Sequence, residues 1–574
     1  MKTSNKRAPF IRILSALLAT ALMVGCAANP PPSTTQSGST ANGEKEPVTL
    51  NFMYIGSWGE MKEANGPIFD EIERKTGVRM TITNVDADQK QVILAGGDTT
   101  DCLMILDQTD LLPAIEGGLM LPLNELIDKL GPNLKSTYPE RLKMSQSALS
   151  DGSGEAYFIP VQAGSEGSPA QPLHSMYMTR WDLYKQMNYP VVTDEDSFLA
   201  MLKEMQKLEP TTPDGKPTYG ISISAIQVGL VAAAYRYTYG FYNSNDLVVT
   251  EINTGEMFYE PTDEDSPFWR SLEYYNKSFR LGLFDQDSFT QKEEDMTAKI
   301  TAGQVLAPLY NGFINNYETN AMLEDPTTIK GFQSLPVEGT SYYCNTNFKG
   351  GWDACFVGIP KTCKDPEAVM RVLDYLSSYE GARLVQSGIE GKQWNYVDGV
   401  PTFTDEVRSG LLNGDQSIAD IGMDAAEFST LTGIGIGEMC PDGYPVKLAL
   451  TADFQQTSNR PTDIDYCSYY NITYPMELFL NKMEEGKMFD HQNDIFDMRV
   501  VTGMGSAPED ISRYESKIND LATKSIAKLI MADSPEAFAK LKQETIAACL
   551  DAGAKETRAY WQARHDELTK EYLG

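Results

Sequence analysis

The chain has 574 residues, of which 41% are hydrophobic, and it carries 80 acidic against 48 basic residues, a net charge of −32. Such an excess of acids repels phosphate backbones and anionic lipid headgroups, which excludes nucleic acid as a partner. The length exceeds what one hydrophobic core usually serves, so we expect two lobes or domains.

The first 26 residues predict an exported lipoprotein. Residues 1–12 contain four basic residues and no acid, and the apolar run 13–24 follows. This order is typical of a secretory signal, and the run is too short to span a bilayer comfortably. Leu22-Met23-Val24-Gly25-Cys26 resembles the bacterial lipobox, with Met23 where leucine is usual. The alternative is an ordinary cleavage site with an incidental cysteine.

We therefore expect residues 1–25 to be a signal peptide and Cys26 to carry a lipid such as palmitate. Residues 26–47 are mostly Pro, Ser, Thr, Gly, Ala and Asn, with almost no large apolar side chain. Such a segment cannot bury a core and should act as a solvated linker. The chain would then be held at the extracellular face of the bacterial cytoplasmic membrane, with the lipid as its only membrane contact.

The folded part begins with a β-α-β pattern. Apolar residues alternate over 48–54 and again over 78–82, as in strands, and a helix between them ends at Gly77. A second helix is predicted for 89–95, followed by a short apolar strand at 102–106 of the kind buried in parallel sheets. Alternating strands and helices predict an α/β lobe with helices on both faces of a sheet.

Later segments are more helical. Residues 197–208 carry apolar side chains on one face, and Asp365-Pro366-Glu367 has the N-cap, proline and acid that begin a helix. The stretch 511–526 and the helix start at Ser534-Pro535-Glu536 predict a helical C-terminal part.

Seven cysteines follow Cys26, so at least one has no partner within the chain. Their spacing matches no zinc-ligand pattern. Disulfides Cys344–Cys355 or Cys440–Cys467 remain open, and buried free thiols are equally compatible with the sequence.

Catalytic signatures are missing. The sequence contains no phosphate-binding loop, HExxH, GxSxG or EF-hand motif, and its three histidines are far apart. An SxxK match at 525–528 lies within an amphipathic helix, and the acid runs 194–196 and 263–265 are typical of solvated helix starts and loops. We expect a protein without enzymatic activity, without a cofactor and without a metal site.

Aromatic residues, at 10% of the chain, give the main functional signal. Several stand beside Gly, Asn or Asp in turn-like contexts, where a ring can stack on the C–H face of a sugar and neighbouring polar groups can hold its hydroxyls. The alternative is that each ring is a core residue with one exposed edge. The candidate ligand-binding residues are Trp58, Arg180, Trp181, Tyr237, Tyr239, Tyr310, Asn311, Trp352, Asp353 and Trp394.

Four segments match short motifs of one known family. They are Val92 to Asp101, similar to "LASGD-x-PD" with Thr100 in place of proline, Leu121 to Ile127 with Gly131-Pro132-Asn133, Tyr177 to Leu183, similar to "x-x-R-x-D-L", and Asp365 to Gly391, similar to "PE-x-x-x-R-x-LD…EG…G-x-EG". Through them the chain resembles the extracellular solute-binding proteins of ABC importers, in the carbohydrate-binding group called family 1. The resemblance covers nearly all of the chain after the leader.

This resemblance implies a two-lobed, periplasmic-binding-protein-like (type II) α/β fold whose lobes close on a sugar. We expect one lobe at 48–164 plus 346–404 and the other at 165–345 plus 405–574. It implies a monomeric receptor that delivers a sugar or oligosaccharide to the permease subunits of an ABC transporter. An oligopeptide receptor is the main alternative, and a surface glycoside hydrolase or lyase is a further one.

Some proteins of this kind hold calcium in an acid-rich loop after the "R-x-D-L" helix. The corresponding stretch here, Glu209 to Lys216, has few acids and a lysine. The resemblance therefore gives little support to a calcium ion in this chain.

Overall fold

A computed structural model describes residues 46–56, 61–85, 87–94, 100–105, 110–150, 152–162, 176–225, 231–245, 247–309, 314–342, 355–413, 431–490, 496–505 and 507–574. Residues 46–574 form one compact unit. Within the described ranges, no helix has both the length and the apolar character needed to cross a membrane.

The secondary structure alternates between strands and helices at first and is helical at the end. The strands are β1 (Val48–Ile55), β2 (Val78–Val85), β3 (Cys102–Ile105), β4 (Phe158–Pro160), β5 (Met178–Arg180), β6 (Phe241–Asn245), β7 (Val248–Glu251), β8 (Met257–Tyr259), β9 (Phe332–Ser334), β10 (Ser341–Tyr342), β11 (Phe356–Gly358), β12 (Trp394–Val397), β13 (Val400–Phe403) and β14 (Phe489–Asp490).

The α-helices are α1 (Pro67–Thr76), α2 (Ala87–Leu94), α3 (Leu111–Glu116), α4 (Asn124–Leu130), α5 (Pro132–Thr137), α6 (Pro139–Ala148), α7 (Trp181–Gln186), α8 (Glu195–Leu208), α9 (Val231–Tyr239), α10 (Pro267–Arg280), α11 (Glu293–Thr301), α12 (Asn315–Glu324), α13 (Pro366–Leu376), α14 (Tyr379–Ser387), α15 (Asp405–Asn413), α16 (Ala452–Thr457), α17 (Pro461–Tyr470), α18 (Pro475–Glu484), α19 (Met498–Thr502), α20 (Glu509–Ile530), α21 (Pro535–Asp551) and α22 (Ala554–Leu573).

The first sheet contains five strands in the order β2-β1-β3-β11-β4. Strands β1, β2 and β3 are parallel, and β11 is antiparallel to both β3 and β4. The predicted β-α-β start is confirmed, because β1, α1 and β2 follow one another as the apolar periodicity indicates.

Both faces of the first sheet are covered by helices, as predicted. Leu50 and Phe52 belong to a core with Ile68 of α1, whereas Met53 and Ile55, on the opposite face, belong to a second core with residues of α2 and α3. Successive side chains of a strand point to opposite faces, so the apolar, fully buried run Phe52 to Ile55 fits a part of β1 that is covered on both sides.

Local signals begin and end the helices. In α13, Pro366 occupies the first turn and the Asp365 carboxylate accepts a hydrogen bond from the backbone N–H of Ala368 at 3.0 Å. At the end of α1, Gly77 adopts the left-handed conformation with φ 71° and donates its N–H to the carbonyl of Glu73. A residue with a Cβ is strained in that conformation, which explains the glycine.

We call a second group of shorter pairings, made of one two-stranded sheet and two isolated bridges, the second sheet. Strands β5 and β9 are antiparallel, and the backbone N–H of Arg180 donates to the carbonyl of Leu306. Parallel bridges join Tyr219 to Val305 and Ile221 to Phe284. A separate hydrophobic core surrounds this region, and it includes side chains of α8, α10, α20 and α21.

The predicted helical C-terminal part is confirmed by α20, α21 and α22. Ile526 and Phe538 pack into the same core as Trp269 of α10. The last helix places Trp561, 1% exposed, in a smaller core with β7 and β8.

The segment after residue 430 returns to the first sheet. Leu431 lies in the core beside α13, and Ile434, Cys440 and Val446 pack against Ala382 of α14. This packing attaches residues 431–446 to the helices that cover β1.

The described cysteines are free thiols: Cys102, Cys355, Cys363, Cys440, Cys467 and Cys549. Neither of the two candidate disulfides is therefore formed, since Cys355, Cys440 and Cys467 are all free thiols. Cys344 lies outside the described residues. Burial raises the pKa of the Cys355 thiol to about 12, which keeps it protonated.

Candidate ligand-binding site

Strand ends of the first sheet meet in one row. Ile55 pairs with Ile105, Ile105 with Phe356, and Phe356 with Pro160. Because β1, β3 and β4 run in the same direction, this row is where all three end, and the antiparallel β11 begins there. Loops at the carboxyl ends of such strands commonly carry the binding residues of α/β proteins.

The second sheet has a corresponding edge. The segments around Tyr219, Phe284 and Val305 are mutually parallel, so their carboxyl ends also point to one side. The segment after Tyr219 continues to Ala225, whose N–H donates to the carbonyl of Gln291, and α9 follows it in the chain.

Five of the predicted binding residues lie outside the described residues: Trp58, Tyr310, Asn311, Trp352 and Asp353. In the sequence, Trp58 follows the last residue of β1 by three positions, and Asp353 precedes the first residue of β11 by three.

Arg180 does not fit the predicted ligand contact, because its side chain is only 1% exposed. Its guanidinium donates to the Asp182 carboxylate at 2.7 and 2.6 Å and to Glu209 at 3.2 Å. Burial alone would lower the pKa of Arg180, but hydrogen bonding to Asp182 raises it above the ordinary value. Arg180 is therefore a buried cation that is paired with Asp182 and Glu209.

Trp181 is a second correction, since it is fully buried at 0% exposure. Its indole Nε1 donates to Asp465 at 2.9 Å, and its ring centroid lies 4.9 Å from that of Tyr466 and 5.4 Å from that of Tyr189. The indole is fully enclosed by these neighbours, so Trp181 joins α7 to α17 and offers no platform to a ligand.

Tyr237 and Tyr239 are both half-buried on α9. The Tyr239 and Tyr177 hydroxyls lie 2.7 Å apart, and the Tyr239 ring packs against Tyr235 with centroids 4.5 Å apart. The backbone carbonyl of Tyr237 accepts a hydrogen bond from the Ser341 hydroxyl. These contacts hold α9 against the segments around Tyr177 and Ser341, and sequence periodicity alone did not indicate them.

The half-buried carboxylate of Glu195 completes this cluster. It accepts hydrogen bonds from Tyr235 and Tyr239, and burial raises its pKa. The Arg270 guanidinium lies 5.3 Å from the Tyr235 ring centroid and 5.6 Å from that of Tyr239. Arginine over two rings and a carboxylate below them stiffen the surface of the second lobe.

Trp394 belongs to a different core from these residues and lines a cleft beside α1 and α14. It is 5% exposed, and its Nε1 donates to the carbonyl of Gly388 at 2.9 Å. The sequence did not indicate most of the polar side chains beside it, among them Arg383 and Asp442. Asp442 stands 48 residues after Trp394, and only the fold brings the two together.

The described residues contain two sets of parallel strand ends, one at Ile55 and one beside Tyr219, an arrangement that commonly carries the binding residues of α/β proteins. No family model matches the chain. It is similar to the fructooligosaccharide ABC transporter substrate-binding protein FusA of Streptococcus pneumoniae, with 24% identity over 273 residues, 45% of this chain and 48% of that relative. The aligned part is thus about half of the relative's length. Lipoprotein LipO of Bacillus subtilis is 20% identical over 426 residues, 71% of this chain and 78% of LipO.

Solved structures agree on the fold. The S. pneumoniae FusA EF-hand mutant in complex with fructo-nystose matches 91% of this chain and 100% of its own, with a TM-score of 0.59 and 17% identity. The HMO-binding solute-binding protein of Bifidobacterium longum infantis matches 91% of this chain and 99% of its own, with a TM-score of 0.57 and 14% identity. The resemblance to ABC-transporter solute-binding proteins and the predicted two-lobed α/β fold are confirmed.

The loop that would correspond to a calcium site does not fit the ion. The Asp214 carboxylate accepts a hydrogen bond from Thr212 at 2.5 Å and lies 3.4 Å from the Lys216 ammonium. Glu209 lies 3.2 Å from the Arg180 guanidinium. Calcium requires six to eight oxygen ligands, several of them charged. Both carboxylates of this loop already face a cation, and no group of three or more His, Cys, Asp or Glu that could hold a metal occurs among the described residues.

We therefore expect calcium to leave the stability of this protein unchanged. Adding calcium in excess, or removing it with EDTA, should shift the midpoint of thermal unfolding by less than about 1 °C, since an ion that does not bind the folded state cannot stabilise it. Differential scanning fluorimetry in the two conditions measures this, and a calcium-dependent rise of several degrees would contradict it.

Proposed function

We propose that this protein is a receptor of an ABC importer, which captures an oligosaccharide between its two lobes and passes it to permease subunits. The observation that carries the proposal is the row of strand ends at Ile55, Ile105 and Pro160, in a fold that matches oligosaccharide-binding receptors over 91% of the chain. Closure over such an edge would exclude water and strengthen hydrogen bonds to the sugar.

The binding residues we propose are those that adjoin the strand ends in the sequence. Trp58 follows β1 by three residues, and Trp352 and Asp353 precede β11, so the chain can carry them no more than about 14 Å from the row. Tyr310 and Asn311 follow Val305, in the parallel segment of the second sheet, by five and six residues, a reach of no more than about 22 Å. Rings would supply stacking, and Asn311 and Asp353 would hold hydroxyls.

We propose lobes that follow the predicted boundaries with one refinement. The first lobe comprises 48–164 and 346–404, and the second comprises 165–345 and most of 405–574. Residues 431–446 pack on α13 and α14, so we assign them to the first lobe. The chain would then cross between the lobes more often than the sequence alone suggested.

We also propose that the receptor works outside the cytoplasmic membrane as a monomer, anchored there through a lipid on Cys26. LipO is named a lipoprotein, which supports this assignment. A tether would keep the receptor near its permease instead of letting it diffuse away.

A thermal-shift screen tests the proposed ligand class. Neutral oligosaccharides, with fructooligosaccharides first, should raise the unfolding temperature, because a ligand that binds only the folded state stabilises it. Replacing Trp58 with alanine should weaken this binding by about tenfold or more, the usual effect of removing a stacking ring. Isothermal titration of wild-type protein and Trp58→Ala gives the ratio of dissociation constants.

Tyr514→Ala is the matched control, because this ring is 42% exposed on α20 and has no part in the proposed site. The control should bind sugar as the wild type does. Stabilisation by peptides but by no saccharide would establish the oligopeptide alternative instead. Recovery of a shortened sugar after incubation would identify a hydrolase or lyase.

A further inference from the structure

A second cleft, of about 430 Å³, lies on the first lobe between α1, α14 and the segments around Trp394 and Asp442. We call it the outer cleft. Its volume falls within the range of small-molecule sites, roughly 300 to 1,000 Å³.

The outer cleft is distinct from the strand-end edge. Lys75, one of its lining residues, lies at the end of α1, and Gly77 just beyond accepts a hydrogen bond from the N–H of Val48 at the start of β1. From Val48 to Ile55 the strand rises about 23 Å. The α1 wall of the cleft is therefore at the opposite end of the first sheet from the row at Ile55.

Four aromatic rings line this cleft: Tyr375, Tyr379, Trp394 and Tyr396. Tyr396 is 45% exposed and packs edge to face on Trp394, with ring centroids 5.4 Å apart. Because Trp394 is anchored through its bond to Gly388, Tyr396 rests on a rigid support and keeps much of its surface available. An exposed ring on a rigid base is the arrangement on which sugars stack.

A planar polar pair stands beside the rings. The Arg383 guanidinium donates to both carboxylate oxygens of Asp442, and the Tyr396 hydroxyl donates to Asp442 at 2.7 Å. Burial raises the pKa of Asp442, but these hydrogen bonds outweigh burial and lower it to about 2, so the group stays ionised. Arg383, 7% exposed, keeps one donor, Nε, without a hydrogen-bond partner.

The charges of the wall are largely neutralised in place. Glu380 pairs with Lys75, and Glu71 pairs with Arg74 at the rim. With Asp442 paired to Arg383, three of the four lining carboxylates already face a cation, and Glu390 is the fourth. Neither a phosphorylated ligand nor a polycation is therefore favoured. Rings, hydroxyls and paired carboxylates best match a neutral ligand with many hydroxyls.

We propose that the outer cleft is a second binding site, for a neutral saccharide unit. It stands on its own geometry and goes beyond the interlobe receptor function. One face of the sugar would stack on Tyr396, while the rim carboxylates would accept hydrogen bonds from its hydroxyls. Such a site would hold part of a long glycan on the receptor while another part occupies the interlobe cleft.

Titration of four proteins with a panel of neutral oligosaccharides tests this proposal: the wild type, Tyr396→Ala, Trp58→Ala and Tyr514→Ala. We expect the wild type to bind at two sites. Tyr396→Ala should weaken one site by roughly fivefold to tenfold and leave the other unchanged, whereas Trp58→Ala should do the reverse. Tyr514→Ala should retain both sites, and circular dichroism checks that each variant is folded.

Saturation-transfer NMR of the same panel reports weak contacts. Identical saccharide signals and isotherms for the wild type and Tyr396→Ala would overturn the proposal. If Trp58→Ala weakened saccharide binding in that experiment, the proposed receptor function would still stand. Loss of saccharide binding in Tyr396→Ala alone would support the outer cleft and count against the interlobe site. Spermidine serves as a cationic probe, and binding of spermidine without any saccharide would also overturn the proposal.

Discussion

Replacing Arg180 with methionine should lower the free energy of unfolding by about 3–5 kcal/mol, the usual cost of removing one partner from a buried ion pair. The guanidinium is 1% exposed, and its loss leaves Asp182, 14% exposed, and Glu209, 28% exposed, without their cation. It also removes the stacking of the guanidinium 4.9 Å from the Tyr317 ring centroid. Urea unfolding of wild type and Arg180→Met measures the difference.

Arg513→Met is the matched control, since that arginine is 75% exposed and pairs with Glu509, which is 83% exposed. Its change should cost less than about 0.5 kcal/mol, as exposed ion pairs contribute little. At temperatures where Arg180→Met is folded, its affinity for sugar should equal that of the wild type. A stable variant that had lost sugar binding would restore Arg180 as a ligand contact.

Replacing Glu318 with glutamine should change how stability depends on pH. Burial raises the pKa of Glu318 to about 7, with a contribution from the neighbouring Asp463, although the Phe332 N–H and Arg460 oppose the shift. Its carboxyl is 10% exposed and lies 3.1 Å from the Arg460 guanidinium. Because the pKa of Glu318 is higher in the folded state, its protonation stabilises the fold fully at pH values below the unfolded-state pKa near 4.5. This stabilisation is lost as the pH rises through about 7.

When the pH is raised from 4.5 to 8, the free energy of unfolding of Glu318→Gln should therefore rise by about 3 kcal/mol relative to that of the wild type. The wild type loses this stabilisation, whereas the amide does not titrate. Urea unfolding at both pH values measures the double difference. Glu204→Gln is the control, since that exposed carboxylate pairs with Lys207 on the surface of α8. A Glu318→Gln difference that did not vary with pH would show that the carboxyl ionises normally.

The two-site proposal changes how the aromatic content of this chain is interpreted. The sequence grouped ten residues into one sugar site, whereas the structure distributes the described ones among three places: a buried brace at Arg180 and Trp181, the α9 surface with Tyr237 and Tyr239, and the outer cleft beside Trp394. Residue type indicated which side chains suit a sugar. It could not separate a ring in the core from one beside a cleft, since both have the same neighbours in sequence.

Elements whose causes are local could be predicted from the sequence. The alternation of β1, the proline and aspartate that begin α13, and the glycine that ends α1 all act within a few residues, and each was confirmed at the predicted place. The leader and the lipobox-like Cys26 belong to the same category, because charge and apolar length along the chain are what a secretion signal consists of. Their processing stays a prediction.

Contacts between distant segments were decided only by the tertiary structure. Trp181 is buried because Asp465, 284 residues away, accepts its indole N–H, and the outer cleft exists because residues 440–442 return to α14. Hydrophobic periodicity indicates that a side chain is buried in the fold, but it does not indicate which segment packs over it. The sequence by itself thus determined the local signals for several helices and strands and the resemblance to solute-binding proteins, while burial and pairing across hundreds of residues decided which aromatic and charged side chains remain available to bind.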